Sequence, residues 1–123
     1  MTYPVPLKQW HVYHFNQEAS RKASKPVQPL DELRLYRRFV VITPNKFLSA
    51  AVKITCVPIG ERSFNRFLHV PLTKGEAGCT KDCHIWTNEI YTLDLDHFFE
   101  EYGRLPDGKI AAVELAIKDY LGH

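Results

Sequence analysis

Arg38-Phe39-Val40-Val41-Ile42-Thr43-Pro44-Asn45 is the stretch whose reading decides the fold. Phe39 to Ile42 are apolar at consecutive positions, so the segment reads as a strand buried on both faces. Pro44-Asn45 breaks it. Working outward, Val52–Ile59 reads as the next strand, ending at Pro58 and Gly60. Arg66–Leu72 reads as another, with Leu68, Val70 and Leu72 on one face and Phe67, His69 and Pro71 on the other. Glu61–Asn65 would connect the two. Upstream, Lys8–Phe15 is rich in aromatic and β-branched residues and reads as the first strand. His11 and His14 would point to opposite faces, so H-x-x-H is not a metal pair. Cys83–Trp86 and Ile90–Leu93 read as short strands.

Beyond them the pattern turns helical. Asp94–Tyr102 reads as a short helix closed by Gly103. Pro106 suits the first turn of a second helix. Ile110, Val113, Ile117 and Tyr120 with Leu121 would share its apolar face, and Gly122 would stop it. The expectation is an α+β, mainly β, single domain over residues 1–123. A small barrel or strongly bent sheet carries a short helix and a C-terminal amphipathic helix.

The 123 residues are 45% hydrophobic, 24% charged and 12% aromatic, which excludes wholesale disorder, coiled coil and solenoid. No apolar run approaches the ~18 residues of a membrane helix. Met1–Lys8 has no apolar core of the signal-peptide kind, so a cytoplasmic protein is expected. An odd number of cysteines, Cys56, Cys79 and Cys83, fits reduced thiols. Cys79, Cys83 and His84 form C-x₃-C-H without a second paired motif, and no metal or other cofactor is expected.

Charge is unevenly spread. Residues 1–74 carry twelve Lys/Arg against four Asp/Glu, and residues 75–123 carry four against ten. A long loop over residues 16–34 holds Arg21, Lys22 and Lys25 among Ser and Pro. It reads either as a solvated basic loop or as a functional segment.

The order of these phrases resembles the MazF/PemK-type toxins of type II toxin–antitoxin systems, the mRNA interferases. Lys8–Phe15 is similar to their opening strand G-x-[IV]-[WY]-x-[VA]-x-[FL]. Arg38–Asn45 is similar to R-P-x-[VL]-[VI]-[IV]-[ST]-N, and Val57-Pro58-Ile59-Gly60 to V-P-I-[TS]. Phe67–Leu72, Glu89–Asp94 and Gly103–Pro106 correspond to F-P-x-x-[VI]-x-[LI], Q-[IVP]-R-[TS]-[IL]-D and G-x-L-[SD]. The resemblance implies an SH3-like barrel of the CcdB/MazF/Kid type, a homodimer, single-stranded RNA as substrate and an acidic antitoxin segment as partner. It also implies metal-independent cleavage, in which the ribose 2′-hydroxyl attacks the adjacent phosphate and leaves a 2′,3′-cyclic phosphate.

Arg38 falls on the active-site arginine of that family; a guanidinium keeps its charge and can hold two phosphate oxygens. Other positions depart from the pattern. Gly60 stands at the Thr/Ser position, Asn88 at an Asp position, Tyr91 at an Arg position and Trp86 at a basic one. Glu61 as base and Ser63 as a stand-in hydroxyl complete the catalytic candidates with Arg38. Arg21, Lys22, Lys25, Arg37, Lys46, Arg62 and Arg66 are the RNA-binding candidates. Tyr13, Tyr36, Phe64 and Trp86 are stacking candidates or core residues. His69 is read as a packing or edge residue that titrates near neutrality. The alternative to an endoribonuclease with an unusual site is an inactive member of the fold that binds RNA, an antitoxin or another protein.

Overall fold

A computed structural model describes residues 6–16, 36–48, 53–63 and 68–122. Its elements in chain order are β1 (His11–Phe15), β2 (Arg38–Val41), α1 (Asn45–Leu48), β3 (Lys53–Gly60), β4 (His69–Leu72) and a 3₁₀ turn (Glu76–Gly78). Then follow β5 (Cys83–Trp86), β6 (Tyr91–Asp94), a second 3₁₀ turn (Leu95–His97), β7 (Phe98–Arg104) and α2 (Asp107–Leu121). The strands form one antiparallel sheet in the order β4-β5-β3-β2-β1-β7, with β6 also paired to β3.

The double-sided apolar character of β2 has a direct structural cause. Val12, Val40 and Val57 are in register across β1, β2 and β3, and they lie in one core. Tyr13 and Phe39 are in register one position away and lie in a second core. Alternation of side chains therefore sends successive residues of each strand into different cores. The first core is closed by α2, whose Val113 and Ala116 are buried, with Ile110 and Ile117 packed against them. The second is aromatic. Phe39 meets Phe15 edge-on at 4.8 Å and Tyr36 at 5.8 Å.

Three expectations need correction. Asp94–Tyr102 is a 3₁₀ turn followed by strand β7 instead of a helix. The Asp94 carboxylate accepts a hydrogen bond from the Asp96 amide at 3.0 Å and starts the turn. The chain then pairs with the open edge of β1, which buries Phe98 against Phe15. Pairing and aromatic burial override the local helix signal. Tyr120 and Leu121 of α2 are exposed, as are all of residues 118–122, so the packed face of the helix ends at Ile117. Third, the strand ladder among the described residues does not close into a barrel.

Packing partly replaces that closure. The 3₁₀ turn after β4 lies against β7. A Cβ on Gly78 would sit 2.2 Å from the Tyr102 carbonyl oxygen, and one on Gly103 would sit 2.9 Å from Ala77. Gly78 also has φ +76°, where only glycine is unstrained. Among the described residues no helix is long and apolar enough to cross a membrane.

Candidate functional site

The departures from the toxin pattern converge at one end of the sheet. Phe39 pairs with Pro58, Gly60 with His84, and His69 with Trp86. Register therefore brings together the start of β2, the ends of β3 and β5, and the start of β4. Two side-chain clusters form there, joined by residues 61–63, which follow β3.

The first cluster centres on Arg38. Its guanidinium lies 5.8 Å from the centre of the Tyr102 ring and against the Cys83 sulfur. Tyr102 in turn approaches His14, with 3.4 Å between its hydroxyl and Nδ1. Glu61 is paired with Lys81 in an exposed ion pair. The Lys81 ammonium, with smaller contributions from Arg38 and Arg62, holds the Glu61 carboxyl below its ordinary range. A carboxylate stabilised in its charged form is a weakened proton acceptor. Cys79 and Cys83 are buried with their sulfurs 3.3 Å apart, and burial pushes the Cys83 thiol up to about 12. His84, next along β5, projects to the opposite face. No group of three or more metal-ligating side chains is found among the described residues.

The second cluster explains Gly60. The Trp86 indole occupies the space beside it. A Cβ on Gly60 would lie 2.6 Å from Trp86 Cζ2 and 2.7 Å from Cε2. The indole N–H donates to the Arg62 carbonyl at 2.7 Å. The His69 imidazole stacks on the indole at 5.3 Å between centroids and 9° between planes. His69 is buried, and both its nitrogens are engaged. Nε2 lies 3.0 Å from Asn88 Oδ1, and Nδ1 lies 3.2 Å from Ser63 Oγ. Asn88 Oδ1 can only accept, so Nε2 carries the proton and Nδ1 accepts from the serine hydroxyl. Ser63 does not take the place beside Gly60; the Trp86 ring does.

Of the remaining candidates, Arg37 and Arg62 are exposed near this end. Lys46 sits on α1, beyond the other end of β2, with its ammonium over Phe47 at 5.1 Å. Arg21, Lys22, Lys25, Arg66, Phe64 and nearly all of the 16–34 loop lie outside the described residues. Tyr13 and Tyr36 are core residues. Tyr36 donates to Glu89 at 2.7 Å, and Tyr91 donates to the same oxygen at 3.0 Å. A cleft of about 460 Å³ between β4 and α2 borders His69 but none of Arg38, Glu61 and Ser63.

Lys81 and Tyr102 were not legible as site residues. Tyr102 reaches Arg38 only because β7 pairs with β1, and Lys81 lies in a polar loop. His69 and Trp86 are visible in the sequence, but only strand register makes them neighbours.

This architecture is that of known endoribonucleases and of MazF. An endoribonuclease from a mycobacterial species superposes with a TM-score of 0.71 at 12% identity, covering 98% of this chain and 96% of the other. The same kind of enzyme in complex with its cognate antitoxin gives 0.69 at 12% identity, over 94% and 95%. MazF from Deinococcus radiodurans gives 0.73 at 17% identity, over 97% and 99%. No curated protein sequence matches significantly. The PemK-like, MazF-like toxins of type II toxin–antitoxin systems match over residues 21–121, and the chain belongs to that family.

Proposed function

We propose that this toxin-family protein is a metal-independent endoribonuclease that cuts single-stranded RNA through an atypical site. The observation that carries the reading is the position of Arg38. It is a permanent cation at the sheet end, braced by the Tyr102 ring and next to Glu61, Lys81 and Arg62. Attack of a ribose 2′-oxygen on the adjacent phosphorus gathers negative charge on the non-bridging oxygens. A fixed guanidinium stabilises that charge more than it stabilises the ground state. Glu61, held ionised by Lys81, keeps the ammonium beside this rim. Arg37 and Arg62 supply contacts to flanking phosphates.

The chain acts in the cytoplasm as a homodimer. An acidic antitoxin segment neutralises the basic rim; the mycobacterial endoribonuclease and the Deinococcus MazF are both found in complex with antitoxins.

A second reading, a binding protein without nuclease activity, is favoured by one observation. The Thr/Ser position is Gly60, and Trp86 fills its space. Digestion of a long single-stranded RNA in the presence of chelator separates the two. The nuclease reading expects fragments with 2′,3′-cyclic phosphate and 5′-hydroxyl ends, lost in Arg38→Ala. Intact RNA at high protein excess would overturn the nuclease reading.

A further inference from the structure

We propose that Ser63, His69 and Asn88 form a proton relay that supplies the base this site otherwise lacks. The inference rests on the nuclease reading. It names groups that the family pattern does not supply, since Gly60 and Asn88 stand where the recognised hydroxyl and carboxylate would be.

Four observations carry it. Glu61 is held ionised by Lys81 and is a weak acceptor. The chain Ser63 Oγ, His69 Nδ1, His69 Nε2, Asn88 Oδ1 has consecutive separations of 3.2 Å and 3.0 Å. That is the order of hydroxyl, imidazole and orienting amide in which a weak oxygen acid is activated. Stacking on Trp86 fixes the plane of the imidazole, and the two hydrogen bonds at its nitrogens select the flip that turns Nδ1 to Ser63. Finally, the hydroxyl is open to solvent and the imidazole is not. Ser63 is exposed while His69 is only 6% exposed. Ser63 and Glu61 are two residues apart, so their Cα atoms lie within about 7 Å of each other.

The step balances as follows. The ribose 2′-O–H gives its proton to Ser63 Oγ as the Ser63 proton passes to His69 Nδ1. His69 becomes an imidazolium whose Nε2–H remains bonded to Asn88 Oδ1. The freed 2′-oxygen forms the bond to phosphorus, and the bond from phosphorus to the 5′-oxygen breaks. The leaving 5′-oxygen takes a proton from water, and His69 returns its own to solvent through Ser63. Ser63 is the catalytic residue, since it touches the 2′-oxygen. His69 acts through it, and Asn88 is a positioning residue.

The test is single-turnover cleavage of single-stranded RNA, paired with affinity for the same sequence as uncleavable 2′-O-methyl RNA. Ser63→Ala and His69→Gln should lower the cleavage rate about 100-fold or more, in line with a lost general base. Affinity should change less than about threefold. Asn88→Ala should lower the rate about tenfold, and Asn88→Asp should restore it by restoring an acceptor. The ¹⁵N spectrum of the His69 ring should show Nε2 protonated in the parent and a mixed tautomer in Asn88→Ala. Ser63 is exposed, so its variant folds even where His69→Gln does not. Near-parental rates in Ser63→Ala, with Arg38→Ala inactive, would overturn the relay and leave the nuclease reading intact. A parent protein inert on RNA overturns both.

Discussion

Adding one carbon at position 60 probes the most unusual contact of the site. The Gly60 backbone is in an ordinary conformation, so Gly60→Ala introduces no dihedral strain and its effect is steric. The new Cβ would lie 2.6 Å from Trp86 Cζ2 and 2.7 Å from Cε2, well inside van der Waals contact. The indole cannot simply retreat, because its N–H is bonded to the Arg62 carbonyl and its far face carries His69. Overpacking of this kind costs about 1–3 kcal/mol. Against that, replacing Gly by Ala reduces unfolded-chain entropy and returns about 0.4–1 kcal/mol. The net expectation is a loss of roughly 1–2 kcal/mol, read in urea as a fall in midpoint of about 0.5–1 M at unchanged slope. The decisive comparison is Gly60→Ala in a Trp86→Ala background. With the ring gone, the added methyl should be neutral or stabilising, giving a coupling of about 1.5–3 kcal/mol between the two positions. An equal loss in both backgrounds, or no loss in the first, would refute the claim that Trp86 occupies the missing side chain's space.

Gly78→Ala should destabilise by about 2 kcal/mol or more, because the methyl meets the Tyr102 carbonyl at 2.2 Å and φ is +76°; thermal melting reads it. Arg62→Ala should leave the melting temperature unchanged and reduce the salt slope of RNA binding by about 0.7. Stability should fall as pH rises above 10, the ordinary tyrosine value, because burial raises Tyr13 to about 12 and Tyr36 further, and the native state then binds more protons than the unfolded chain; a tyrosinate absorbance titration that tracks free tyrosine would contradict this. Cys56, Cys79 and Cys83 are buried, and burial raises the Cys56 and Cys83 thiols, so all three should react slowly with a chromogenic disulfide at pH 8 until the protein is unfolded.

Strands were legible where side-chain chemistry alone fixes them. Cys83–Trp86 falls where expected, and β2, β3 and β6 are displaced by a residue or two at their ends. β7 was not legible, because Asp94, Gly103 and the intervening residues carry helix-like local signals while the decisive partner, β1, lies far away in sequence. The helix face was read correctly up to Ile117 and failed at Tyr120 and Leu121, which are exposed. Within the site, Arg38 and the losses at Gly60 and Asn88 could be read from the order of motifs. What fills those losses could not. Trp86 over Gly60, and His69 between Ser63 and Asn88, are consequences of cross-strand register that no single stretch of sequence contains.

The pairing of β1 with β7 has a consequence for biosynthesis. His11 and Glu101 meet across 90 positions of chain. A nascent chain emerges from its N-terminus, so β1 waits with one edge unpaired until residues 98–104 have been made. Such long-range closure is intrinsically slow to form. The Tyr102 ring that braces Arg38 arrives with the same strand. A ribosome making this protein therefore carries an incomplete site until that strand has been made and has found β1.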